Sequence, residues 1–185
     1  MDNEGNVSQS GPGNGASSPV RALTRINPHK WSEERLLYLW NQLKTQDYAF
    51  DDPAREVGHA AFLTQLFAAG SEWYEIGDDG LAGVNGIIPK CNAVVHFVVW
   101  GDVEPRELFP LQHLLFNDLF TRYELNRLTA YIPAFNKQAI RMATIIGFRF
   151  EGELRRAFLS HGKYHNLQLY GLLQSEFCKR GEVRN

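Results

Sequence analysis

The sequence predicts an α/β domain of seven strands and four helices in the order β-α-α-β-β-β-α-β-α-β-β. Three observations carry this. Helical apolar stripes recur between short runs rich in β-branched and aromatic residues. The run "CNAVVHFVVWG", 91–101, is apolar on both faces, as in a strand buried inside a sheet. The last third, "FRFEGELRRAFLSHGKYHNLQLYGLL", reads as two long strands joined at "SHGK".

Residues 1–19 are rich in Gly, Ser, Asn and Pro and nearly without apolar side chains. Such a segment cannot bury enough surface to offset its ordering entropy, so it is expected to be an arm, flexible or held by a partner. The domain is expected over 20–178, with a short tail at 179–185. "VRALTRINP", 20–28, is a strand candidate. "SEERLLYLWNQLKT", 32–45, has Ser32 in the capping position and apolar residues at helical spacing. "DDPAREVGHAAFLTQLFAAG", 51–70, reads as one helix with Pro53 near its start and Gly70 at its stop. "SEWYEIGDDG" and "LAGVNGII" flank an Asp-Asp-Gly turn and predict a hairpin.

After the buried strand, the next helix is expected to begin near Pro110, because proline is tolerated in a first turn. "RLTAYIPA", 127–134, is a strand. "NKQAIRMATII", 136–146, is a helix that Asn136 caps and Gly147 ends. Gly152, inside a strand pattern, predicts a bulge or a close backbone approach.

Composition narrows the function classes. The chain has 185 residues, is 44% hydrophobic and carries a formal net charge of −2. That charge gives no footprint for nucleic acid or an anionic membrane. Two cysteines make no disulfide framework, and no apolar run is long enough for a membrane span. The N-terminus lacks a signal-peptide pattern. A cytoplasmic protein, or a component of an assembly made in the cytoplasm, is the resulting expectation. His161 and His165 flank a turn without a third ligand nearby in sequence, so no metal site is expected.

The element order and the residues Leu125-Asn126-Arg127, Asn136, Gly147-Phe148, Glu151-Gly152, Arg155, Gly162, Tyr164-His165, Leu172 and Glu176 resemble the GNAT superfamily of acyl-CoA-dependent N-acyltransferases. Residues 125–177 are most similar to ribosomal-protein N-terminal acetyltransferases and their spermidine- and antibiotic-modifying relatives. The resemblance implies a mixed, mostly antiparallel sheet of six to seven strands flanked by about four helices. It implies acetyl-CoA as co-substrate and an amine as acceptor. The co-substrate would lie where strand 93–100 splays from strand 127–133. The backbone of Phe97, Val98 and Val99, with Asn136, would hold its pantetheine, and Arg106 would meet its phosphates.

The sequence departs from that family at two places. The phosphate loop of the family is Gln/Arg-x-x-Gly-x-Gly/Ala, whose glycines admit a diphosphate to backbone N–H groups at a helix N-terminus. Here the segment is "GDVEPRELFPLQ", with two prolines and three acids. The Ser or Tyr that would serve as acid three or six residues after the capping Asn is replaced by Ala139 and Met142, which cannot donate a proton. His96, on the central strand, Tyr131 and Tyr164 are the candidates for proton handling; a core histidine with a satisfied partner is the competing account of His96, and an amphipathic strand residue that of each tyrosine. Glu72 and Glu75 could meet a substrate amine or lie on solvated strand faces. Two functions follow: an N-acyltransferase with an atypical loop, or a non-catalytic protein of the same fold acting through a protein partner or its own copies, for example a phage virion or assembly component.

Overall fold

The computed structural model describes residues 22–101 and 103–177, so the expected arm at 1–19 and tail at 179–185 lie outside the described residues. The strands are β1 (Leu23–Ile26), β2 (Glu72–Ile76), β3 (Gly80–Ile88), β4 (Asn92–Val99), β5 (Arg127–Pro133), β6 (Arg149–Ser160) and β7 (Lys163–Leu173). They form one sheet in the order β1-β2-β3-β4-β5-β7-β6. Every adjacent pair is antiparallel except β4 and β5, which run parallel. Five α-helices flank the sheet among the described residues: α1 (Glu33–Leu43), α2 (Asp52–Val57), α3 (His59–Leu66), α4 (Pro105–Arg122) and α5 (Lys137–Ile146). A mixed, mostly antiparallel α/β sheet of seven strands is therefore the observed architecture.

Local chemistry explains most boundaries. Ser32 Oγ accepts the Arg35 N–H at 3.2 Å and starts α1. Asn136 Oδ1 accepts the Ala139 N–H at 3.0 Å and starts α5, which Gly147 ends at φ 120°. The register of β6 against β7 shifts between Phe150 and Gly152, the bulge that Gly152 predicts.

Two expectations are corrected. The stretch 51–70 is not one helix: Gly58 adopts φ 74° between α2 and α3, a conformation that breaks the run and that only glycine reaches without strain. The helix expected near Pro110 begins at Pro105, which takes the first-turn slot, and Pro110 lies inside it. Pro110 withdraws one N–H from the ladder, a local defect that the packing of Leu108, Leu111 and Leu115 into the core outweighs.

The sheet carries a core on each face. On one, α4 and α5 pack Leu115, Phe116, Leu119 and Met142 against Val84, Val95 and Leu128. On the other, α1 and α3 pack Leu39, Trp40 and Phe62 against Trp73 and Leu81.

Glu72 is the buried charged residue among the described residues, 8% exposed. Arg122 meets it with two N–H bonds, 2.7 and 2.8 Å, and Tyr74 donates to it at 2.7 Å; Arg25 and Tyr123 complete the cluster. Burial pushes the Glu72 carboxyl up, but the hydrogen bonds from Arg122, Tyr123 and Tyr74 together outweigh it and hold the group below its ordinary range. Glu75 pairs with Arg35 at 2.5 Å. Both acids are thus spent on ion pairs that tie β1, β2, α1 and α4 together, in place of the solvated faces or amine contacts the sequence suggests.

Glu72→Gln is expected to lower stability by about 3 kcal/mol at neutral pH, since it leaves Arg122 without its buried counter-charge. The folded carboxyl is depressed, so its contribution is complete above pH 4.5 and is lost as pH falls through the lower folded value. Urea midpoints of the two proteins should therefore be well separated at pH 7 and converge as the solution is acidified below pH 4.5.

Candidate functional site

β4 and β5 pair at only three positions, Asn92 with Arg127, Ala93 with Leu128 and Val94 with Thr129. Beyond them both strands continue, β4 to Val99 and β5 to Pro133, without pairing. The separation opens a cleft of about 480 Å³ that passes from the α4–α5 side of the sheet to the α1–α3 side. His96, Phe97, Val98, Val99, Tyr131 and Asn136, the site residues expected from the sequence other than Arg106, all line it.

The edge of β4 is not uniformly available. Backbone groups of a strand alternate between its two neighbours. The Trp100 N–H bonds to the Asp79 carbonyl at 2.9 Å, on the β3 side, while the Cys91 carbonyl accepts from Asn126 and Arg127 on the β5 side. Odd-numbered residues of β4 therefore present their backbone to the cleft, and Val98 presents its own to β3. Val99 is already bonded: the Tyr48 hydroxyl donates to its carbonyl at 3.2 Å and accepts its N–H at 3.4 Å. Among the three residues 97–99, Phe97 is the one whose backbone faces the opening without such a partner. Burial raises the Tyr48 hydroxyl above its ordinary pKa, so it stays protonated and can keep both bonds. Nothing in the sequence around Tyr48 singles it out; its role depends on the chain between α1 and α2 crossing the end of β4.

Side chains alternate likewise. Val95, Phe97, Ala130 and Ile132 join the α4–α5 core, which sends His96 and Tyr131 to the opposite face. His96 stands opposite Gly83 on β3, and Gly83 opposite Trp73 on β2. A Cβ on Gly83 would lie 2.6 Å from Cζ3 of Trp73, so the indole lies over this glycine beside His96. Burial lowers the His96 pKa, and the ring makes no hydrogen bond among the described residues. It is a neutral imidazole facing a cleft and not a core histidine with a partner.

Other residues fall as follows. Ala139 and Met142 line the cleft where the resemblance would place a Ser or a Tyr. Gln112 of α4 lines it too, with 6% exposure and an Oε1 that has no hydrogen-bond partner among the described residues. Sequence reasoning passes over Gln112 because a glutamine on an amphipathic helix ordinarily faces water. Arg106 is outside the lining: it is exposed on the first turn of α4 and pairs with Glu104 at 2.7 Å. Tyr164 is exposed beneath Arg156, away from the cleft. His161 pairs with Asp47 at 2.8 Å, and His165 packs on Phe135, so the two turn histidines serve the fold. The Asp52 carboxylate accepts the N–H groups of His161 and Gly162 at 3.0 and 2.8 Å, pinning the β6–β7 turn to α2.

A sheet with one parallel pair at its centre, splayed to leave a through-going cleft, is the decisive observation. The chain has the GNAT fold. The spermidine/spermine N-acetyltransferase SpeG of Vibrio cholerae, in mutant form, superposes with a TM-score of 0.67 at 14% identity, over 89% of this chain and 99% of that one. The same organism's spermidine N-acetyltransferase in complex with CoA and spermine gives 0.63 at 16% identity, over 87% and 99%. A chimera of SpeG and hSSAT gives 0.67 at 17% identity, over 87% and 99%. No protein-family model and no curated protein matches the chain.

Because burial holds His96 neutral, its stabilising contribution is complete above pH 6.5 and is lost as pH falls below it towards the depressed folded value. His96→Gln removes that titration. The urea midpoint of the variant is expected to fall less between pH 7.5 and pH 5.5 than that of the unmodified protein.

Proposed function

We propose that the protein is an acyl-CoA-dependent N-acyltransferase that transfers an acetyl group to an amine. The observation that carries this reading is the open cleft between β4 and β5. A pantetheine chain is a slender, largely apolar strand with amide groups, and the cleft offers it apolar walls, the free backbone of Phe97 and the unpartnered Oε1 of Gln112. Gln112 is the type of orphaned buried acceptor that an incoming N–H or O–H would satisfy. Asn136, at the start of α5, supports the far wall.

The diphosphate end departs from the usual cradle. Pro105 and Pro110 have no N–H, Glu104 is the N-cap of α4, and Glu107 lies in its first turn. A diphosphate would be held from outside the cleft, by Arg106 exchanging Glu104 for phosphate. Acetyl-CoA, when bound, supplies the thioester as electrophile. The protein's part is to bury that thioester, exclude water from it, and give the attacking amine a neutral imidazole, His96, as proton acceptor. Tyr131 stands on the same face of the sheet and is the available hydroxyl for the departing thiolate.

One observation favours a binding or structural role instead: the Tyr48 hydroxyl occupies the Val99 backbone pair that an extended ligand would use. One experiment separates the two readings. A ligand present at 100 times its Kd stabilises the native state by about 2.7 kcal/mol, or about 5–10 °C in Tm for a domain of this size. Millimolar acetyl-CoA is expected to produce a rise of that order. Tyr48→Phe frees the Val99 pair and is expected to bind acetyl-CoA about five-fold more tightly, the equivalent of one hydrogen bond. No shift in either protein would sink the acyltransferase reading and leave the structural one.

A further inference from the structure

The wall of the acceptor end is aromatic and aliphatic. Among the described residues, none of the lining side chains is Asp, Glu, Lys or Arg. The wall on this side is Trp73, Phe50, Phe62, Leu81 and Phe158, with Tyr48 at its edge. Of the acids nearby in the chain, Asp79 has its side chain against Gly101 at the end of the cleft and interactions of its own, and the others are engaged elsewhere. Asp47 pairs with His161, Asp51 caps α2, and Asp52 holds the β6–β7 turn. Glu72 and Glu75, on either side of Trp73 and Tyr74, are bound to Arg122 and Arg35.

This is a poor site for a cation. An ammonium group entering an apolar cleft loses its hydration and here finds no carboxylate in return. A polyamine would carry several such groups. An amine of lysine-like basicity is neutral in fewer than about one molecule in a thousand at pH 7, given a pKa near 10.4. An amine attached directly to an aromatic ring shares its lone pair with the ring and is neutral at pH 7. It needs no counter-charge to bind and no strong base to release its lone pair. The ring it carries matches the aromatic wall, where the benzo edge of Trp73 lies over Gly83 beside His96.

We propose that the acceptor is a small uncharged aromatic primary amine, seated against Trp73 and the ring floor of Phe50 and Phe62, and not a polyamine. The inference rests on the acyltransferase reading above. The amine nitrogen lone pair forms the new C–N bond at the thioester carbonyl carbon, and the C–S bond breaks. The nitrogen loses one proton, through His96, and the leaving thiolate gains one. An N-aryl acetamide and free CoA are the products, with no oxidant or reductant required.

Two measurements on the full chain test this. The first is quenching of tryptophan fluorescence by amine alone, without acyl-CoA. 4-Aminophenol is expected to bind with an affinity unchanged between pH 6.5 and pH 8.5, and spermidine to bind at least about ten-fold more weakly. Trp73→Phe, which replaces the indole wall with a smaller ring, is expected to weaken 4-aminophenol binding several-fold while leaving the acetyl-CoA Tm shift intact. The second is CoA release and acetylated product by mass spectrometry, with 4-aminophenol, spermidine and an alanyl peptide as acceptors; 4-aminophenol is expected to have the highest kcat/KM. Preference for spermidine or the peptide would overturn the proposal, as would absence of 4-aminophenol binding. So would preference for octanoyl-CoA over acetyl-CoA without amine quenching, because the apolar wall would then hold a longer acyl chain. Amine binding without any acetyl-CoA shift or CoA release would instead count against the acyltransferase reading and leave an aromatic-amine site.

Discussion

The short parallel pairing of β4 with β5 is the constraint on which the rest of the structure depends. Three residues on each strand are joined, and the next several on each are not. Twist alone does not separate neighbouring strands; something must occupy or support both open edges. On one side the support is α4 and α5, which hold Phe97 and Ile132 in the larger core. On the other it is the α1–α3 layer, through Trp73, Leu81 and Val98. The opening is therefore held by two independently packed cores, which lets it remain a cleft.

Chemistry at the site follows from that opening. Alternation along β4 gives one face the apolar side chains of Val95 and Phe97 and the other the imidazole of His96. Alternation of the backbone gives Phe97 and Val99 to the cleft and Val98 to the ladder. Tyr48 then takes the Val99 pair, so that a loop from outside the sheet decides how much of the β4 edge a ligand can use. The charged residues are kept out of the cleft by being used elsewhere, chiefly in the Glu72 cluster and at the β6–β7 turn. What results, among the described residues, is a cleft lined by no charged side chain in a protein whose surface has abundant charge.

The element order, the capping by Ser32 and Asn136 and the Gly152 bulge were legible in the sequence, because each rests on contacts within a few residues or on a strand's own alternation, whereas the location of the cleft came from the resemblance to the GNAT superfamily. The misplaced start of α4 and the unbroken helix over 51–70 show where local rules compete. Pro105 and Pro110 both satisfy the first-turn rule, and only packing of Leu108 into the core chooses the earlier start. Gly58 reads as tolerable inside a helix until its φ of 74° is seen.

By itself, then, the sequence determined the order of the elements, their caps, and the lack of a Gly-x-Gly pattern before α4, and its resemblance to a family pointed to the strand pair that diverges. The tertiary structure decided which candidates meet. It brought His96, Tyr131, Asn136 and the unforeseen Gln112 and Tyr48 to one cleft, and it left Arg106 outside on Glu104. It also turned Glu72 from an apparent surface acid into the centre of an ion cluster. The physical reason is range. Caps, bulges and strand faces are set by neighbours along the chain, whereas the partners of Tyr48, Glu72 and Gln112 are some fifty residues away or belong to a cavity that exists only when two cores hold two strands apart.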